Sequence, residues 1–180
     1  NLGRSCRIQD KTDEAYDAFF KSAWNAAWQD AAYYNLAAID CRRGNFEKAL
    51  DLIDRSLVRN WHHHKARQLK ASILRRLGRK EEALGLIAVS LKIARFDMGC
   101  RFEQYLLTDN DNVLKEMQRL MRGAAHVYIE YALDFAQAGL YDEAINLLEG
   151  YAATQRSVYP MVHYALGYCH SRKGDTVKAL

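Results

Sequence analysis

A frame of 34 residues runs through this chain, and no single helix or strand generates a period that long. Glu14-Ala15, Lys48-Ala49 and Glu82-Ala83 recur at that spacing, and Asp10, Gly44 and Gly78 keep step with them, as do Ser22, Ser56 and Ser90. The repeated object is a supersecondary unit stacked on its neighbours. The function of such an array resides in the surface that the stacked units make.

Within each period the apolar residues fall three and four apart, which is the spacing of one helix face. The opening part-unit, residues 1–29, is expected to carry the end of one helix to about Ile8. A second helix should run from about Asp13 to Trp28, with Thr12 as its N-cap. In residues 30–63, Tyr33, Leu36, Ala37 and Asp40 form one stripe, Gly44-Asn45 a turn, and Phe46, Ala49 and Ile53 the face of a second helix. Residues 64–97 repeat the plan through Leu69, Ile73, Leu74, Gly78, Ala83 and Ile87. Alanine is needed where two helices cross closely. Beyond Gly78 the frame weakens: 34 residues on lies Asn112, expected to hold the next left-handed turn, and Gly139 follows after only 27. Residues 98–124 therefore read as a degenerate unit with a shortened second helix, capped by Asp109 or Asp111. Regularity returns in 125–159 with Tyr128, Ala132, Phe135, Gly139 and Ala144, and residues 160–180 open a further unit at Pro160, where the first helical N–H is unpaired anyway. Leu2-Gly3 and Leu166-Gly167 occupy equivalent places in the frame, so the chain is expected to begin and stop inside a repeat, as a segment of a longer protein would.

Composition excludes several classes. The net charge of +4 is too small to indicate nucleic acid without a local basic stripe. No stretch approaches the roughly 18 uninterrupted apolar residues of a membrane span, and no signal-like segment opens the chain. A cytoplasmic location is expected, with the periplasm left open, and neither nucleic acid nor membrane is expected as a partner. Cys6, Cys41, Cys100 and Cys169 are scattered through apolar helical runs and read as reduced core thiols. His62-His63-His64 places three consecutive side chains in different directions, whereas helix ligands that share a face sit three or four apart. Asp109 to Asn112 resembles the start of a calcium loop but lacks its later glycine and glutamate. There is no nucleophile and base at a recognisable spacing, no phosphate loop and no H-E-x-x-H. The chain is expected to be no enzyme and to need no cofactor or metal.

A 34-residue period with Gly before a short step to Ala is similar to the tetratricopeptide repeat, over the whole chain and most weakly in the middle unit. That resemblance implies an all-α, right-handed superhelical solenoid of antiparallel helix pairs. It also implies that the first helix of each pair lines a concave groove that binds an extended peptide or a helix. By register the groove would carry Tyr34, Asn35 and Arg42, then Lys65, Gln68 and Arg75, then Phe102, Glu130, Tyr164, Tyr168 and Arg172. Their mixture of aromatic and cationic side chains suits stacking and Arg forks on carboxylates. The Lys and Asn pattern of the chaperone-tail clamp is not matched, because Tyr34, Ala38 and Leu69 stand in its places. Ala132 to Phe135, Gly139 to Ala144 and Tyr164 to Tyr168 also resemble the helical half of large bacterial proteins that join a β-rich, mutarotase-like domain to a repeat array.

These expectations converge on a protein-protein interaction module whose partner is a protein, a peptide or another domain of the same longer chain. The alternatives are a structural scaffold or dimerisation segment of a carbohydrate-related protein, and an accessory sugar-binding surface. Because the last unit stops at Leu180, the helix that would cover Tyr164, Leu166 and Cys169 is cut short, and self-association through open repeat ends is also expected.

Overall fold

A computed structural model describes residues 2–175 and 177–179 of the chain. Among them are the α-helices α1 (Leu2–Ile8), α2 (Thr12–Ser22), α3 (Gln29–Arg42), α4 (Phe46–Arg59), α5 (His64–Arg76), α6 (Lys80–Ile93), α7 (Met98–Thr108), α8 (Asp111–Met121), α9 (Ala125–Gln137), α10 (Tyr141–Ala152) and α11 (Pro160–Lys173), and no strand. Each helix packs on the next except at the step from α8 to α9, and short connections make successive helices antiparallel. The expected stop at Leu180 lies outside the described residues.

The 34-residue frame is written in one backbone device. Asp10, Gly44, Gly78, Gly139 and Gly174 all have positive φ. The amide that follows each bonds the carbonyl five residues back, Lys11 to Cys6, Asn45 to Asp40, Arg79 to Leu74, Leu140 to Phe135 and Asp175 to His170, at 2.9–3.0 Å. This closure satisfies carbonyls that a helix end leaves without a partner. Five residues beyond four of these turns stand Ala15, Ala49, Ala83 and Ala144, all fully buried where the paired helices cross.

Two expected boundaries move. α2 ends at Ser22 instead of running to Trp28, and Ala26–Trp28 forms a separate 3-10 turn. Asn25 causes the break, since its Oδ1 accepts from the Ala27 amide at 3.0 Å and starts a new element there. Thr12 is the first residue of α2, with Lys11 in the cap position. In the degenerate unit the left-handed residue is Asp109, with φ of 50°, and Asn112 lies inside α8. Neither Asp109 nor Asp111 caps α8: the Asn110 side chain does, accepting from the Asn112 amide at 3.0 Å. The shortening is also shared between both helices. α7 has 11 residues where α5 and α9 have 13, and α8 has 11 where α6 has 14 and α10 has 12.

A continuous apolar core runs through the array from Cys6 in α1 to Cys169 in α11. All four cysteines are buried free thiols. Burial pushes the Cys41 thiol up to about 12 and that of Cys169 up to about 11, so both are inert packing groups at neutral pH.

With both helices of the middle unit short, α9 and α10 reach back over the concave side of α3 and α5. Lys65 Nζ in α5 donates to Asp134 Oδ1 in α9 at 2.8 Å, and Arg42 Nη2 in α3 donates to the Gln137 carbonyl at 2.9 Å. Gly139 sits so near α3 that a Cβ there would lie 2.7 Å from Arg42 Cα. The ends meet as well: Arg172 in α11 forms a fork with Asp10 at 2.6 and 2.8 Å. The solenoid closes on itself.

Candidate functional site

Closure sorts the residues that the repeat register places on the concave face. Asn35, Gln68 and Phe102 are buried. Asn35 accepts from Arg7 at 3.0 Å and donates to the Ala31 carbonyl, and Phe102 packs edge-on against Phe135 of α9 at 5.7 Å. The expectation that these three face an open groove is therefore corrected: register fixes which side of a helix is concave but not what packs against it. Tyr34 is half-buried with its ring 4.9 Å from that of His63, and burial pushes its phenol well up. Lys65 is held by Asp134 and stands 3.6 Å from Glu130. Arg75 joins the carboxylates of Glu103 and Glu143. Tyr164 is the most open of the set, 71% exposed on α11.

Arg42, Tyr168 and Arg172 do come together. They line a cleft of about 330 Å³, to which the end of α1 and the following turn add Arg7, Ile8 and Asp10 and α9 adds Leu133 and Gln137. Every wall comes from a different part of the chain. The cleft exists only because the first and last units close over the C-terminal end of α3. Sequence reading missed Arg7, Ile8 and the side-chain role of Asp10. Their only local signal is that they fall where the first helix of a unit ends, with Ile8 at the frame position of Arg42 and Arg172.

The charges in this cleft are unbalanced. Arg172 is matched by Asp10, whose carboxyl the Arg172 hydrogen bonds hold below its usual range. Arg7 is bonded to the neutral Asn35 and Arg42 to a backbone carbonyl, and neither has a carboxylate partner among the described residues. Arg42 Nε is buried with no hydrogen-bond partner. Burial chiefly, with the nearby Arg42 and Arg4 charges adding to it, lowers the Arg7 pKa from its ordinary value. Two guanidinium groups in a half-enclosed space, one with an unused donor, form a site that favours an anion. Leu133, Ile8 and the Tyr168 ring supply apolar surface beside it.

Other candidates carry less. His63 packs on Tyr34 while His62 and His64 are exposed, and among the described residues no three His, Cys, Asp or Glu side chains are grouped to hold a metal ion. No helix in the described residues is long and apolar enough to cross a membrane.

No protein-family model matches the sequence, and no curated protein matches it significantly. Solved structures do. The chain is similar to a tetratricopeptide repeat protein from Parabacteroides merdae ATCC 43184, with a TM-score of 0.64 and 18% identity over 99% of this chain and 72% of that one. It is similar to MamA, residues 41 to the end, from Desulfovibrio magneticus RS-1, with a TM-score of 0.52 and 15% identity over 99% and 85% of the two chains. A third likeness is to YrrB, a TPR protein with an unusual peptide-binding site, with a TM-score of 0.50 and 15% identity over 99% and 77%. Together with the recurring left-handed turns and buried alanines, these matches give the chain the tetratricopeptide-repeat fold, an all-helical solenoid of stacked helix pairs.

Proposed function

We propose that the chain is a non-catalytic protein-interaction module that takes an acidic peptide segment of its partner into the cleft between α1, α3, α9 and α11. The observation that carries this reading is the pair Arg7 and Arg42, two cations without a carboxylate partner among the described residues, lining a half-enclosed cleft. A carboxylate entering there meets the Arg7 and Arg42 guanidinium groups that line the cleft and forms charge-assisted hydrogen bonds, roughly twice as strong as neutral ones. An aliphatic residue beside that carboxylate rests on Leu133 and Ile8, and the Tyr168 ring closes one side. YrrB, which shares the fold at low identity, is a peptide-binding protein, and this supports a peptide ligand here. The site differs from the full-length groove that the repeat register implies, because α9 fills that groove over α3 and α5.

Selection of a displayed peptide library on the chain tests the reading. Enrichment of Asp or Glu next to aliphatic residues is expected. By titration calorimetry, Arg42→Gln should weaken the selected peptide roughly tenfold or more, the worth of one hydrogen bond to a charged group. Selected peptides without acidic residues, or an unchanged affinity in Arg42→Gln, would remove the cleft as the binding site and leave the scaffold reading in its place.

A further inference from the structure

The antiparallel stacking sends all within-unit turns to one edge of the solenoid and all connectors between units to the other, and these edges differ. Large apolar side chains gather on the connector edge. Trp24 and Trp28 between α2 and α3, Trp61 between α4 and α5, Phe96 between α6 and α7 and Tyr159 before α11 are 41–78% exposed. On the turn edge the exposed large apolar residues are Ile8 and Val177. Trp28, Trp61 and Phe96 follow one another at 33 and 35 residues, so the aromatic position belongs to the repeat itself.

Cations also populate both edges, but with different company. On the turn edge Lys11, Arg43, Arg79, Arg172 and Lys173 each have a carboxylate partner, whereas Lys80 and the cleft residues Arg7 and Arg42 have none among the described residues. On the connector edge Lys21, Arg59, Lys92, Arg122 and Arg156 are exposed, and none has a carboxylate within 4.0 Å among the described residues. Arg95 reaches Glu116 only at 3.9 Å. The acids there are few: Asp97 is buried, Asp30 accepts from Asn60, and Glu149 is exposed in the last turn of α10.

We propose that the connector edge is a docking face for an anionic membrane surface, with the connector aromatics seated at the headgroup level and the unpaired cations on acidic lipids. The missing spanning helix excludes a crossing of the bilayer by these helices but says nothing of binding to its surface. Amphipathic rings partition to the interface, and juxtamembrane Lys and Arg are drawn to the negative leaflet. Spacing favours lipid over a single-stranded nucleic acid. Neighbouring helices lie about 8–10 Å apart, so connectors one unit apart are separated by about 16–20 Å. That is too far for successive bases to stack on successive rings, whereas a fluid interface accepts rings at any spacing.

The test uses the full chain with phosphatidylcholine vesicles containing about one-third phosphatidylserine, and with pure phosphatidylcholine vesicles as the control. Co-sedimentation with the acidic vesicles, a blue shift of Trp emission and its quenching by brominated acyl chains are expected, all reduced by added salt. Arg59→Glu combined with Arg122→Glu should weaken binding by more than about twentyfold, from roughly fivefold per lost cation. Trp24→Ser with Trp28→Ser should also weaken it, and circular dichroism confirms that the variants remain helical. Arg42→Gln, in the peptide cleft, should bind vesicles as the parent does, which separates this face from the cleft. Equal binding to neutral vesicles, no binding to acidic ones at low salt, or indifference to the paired Arg variants would overturn the proposal. Binding of a single-stranded oligonucleotide with vesicles ignored would overturn it too and reassign the edge to nucleic acid.

Discussion

Arg75 is bound to two carboxylates that lie far from it in sequence. Its Nε donates to Glu103 at 2.7 Å and its Nη2 to Glu143 at 2.6 Å, while Arg76 reaches Glu143 at 2.7 Å and Ser72 donates to Glu103 at 2.8 Å. Glu103 is fully buried, and burial raises its pKa although Arg75 and Ser72 oppose the shift. For Arg75 burial acts against the charge, but the two carboxylates outweigh it and raise its pKa. The network is balanced at two cations and two anions, so it is tolerable inside, whereas removal of one partner leaves a buried charge alone. Arg75→Met is expected to cost about 3–5 kcal/mol in urea unfolding, and Glu103→Gln in the same chain should recover part of it. A buried acid with a raised pKa stabilises the fold below its unfolded pKa and loses that contribution as pH rises through the folded value. The deficit of Arg75→Met should therefore shrink as pH falls through the raised folded value of Glu103 towards the ordinary glutamate range of about 4.3, and change little below it. A deficit that is independent of pH would show that Glu103 stays ionised without Arg75.

The turns show how far sequence reaches at the scale of elements. Gly44, Gly78 and Gly139 share a left-handed φ of 73–78° and one hydrogen-bond closure, and all three were legible, Gly44 and Gly78 from the fixed period and Gly139 from the step to Ala144 that repeats theirs to Ala49 and Ala83. Their surroundings were not legible. A Cβ at Gly44 or Gly78 meets nothing within 4 Å, but at Gly139 it meets the Arg42 backbone at 2.7 Å, a contact between residues 97 positions apart. Local pattern carries no information about such a pairing. Gly78→Ala should thus lose only the left-handed penalty of about 1–2 kcal/mol, and Gly139→Ala distinctly more, since α9 must move off α3. Equal losses in thermal unfolding would mean that α9 does not rest on Arg42. The same limit explains the degenerate unit, where Asp109 takes the left-handed position 31 residues after Gly78. Asn112 looks equally able to turn the chain there, and the choice falls to Asn110, whose side chain caps α8. For the cleft, register located Arg42, Tyr168 and Arg172 on first helices, but only closure of the array brings Arg7 and Asp10 to them.

At the scale of the molecule, closure changes what kind of object a repeat array is. An open solenoid touches only its neighbours and its energy is nearly a sum of nearest-neighbour terms, whereas here units far apart in sequence share polar contacts through Arg42, Lys65, Arg75 and Arg172. These contacts differ in depth. The carboxylates of the Arg75 network and of the Lys65–Asp134 pair are buried, whereas Asp10, in the fork that joins last unit to first, is 59% exposed. Exposed pairs contribute little to global stability, so Asp10→Asn should barely alter the midpoint of unfolding. It should instead loosen the ends. Amide exchange in α1 and α11 should quicken while that of α5 stays unchanged, and small-angle scattering should report a larger radius of gyration. Acid should act in the same direction on the parent. The Asp10 pKa is depressed by Arg172, so its contribution is present above the ordinary aspartate range of about 3.9 and is lost as pH falls through the lower folded value. Because the fork also forms one wall of the cleft, Asp10→Asn should weaken an acidic peptide far less than Arg42→Gln does, since it removes a competing anion while relaxing the geometry. Unchanged exchange at both ends would show that the apolar core alone holds the array closed and that the fork is a bystander.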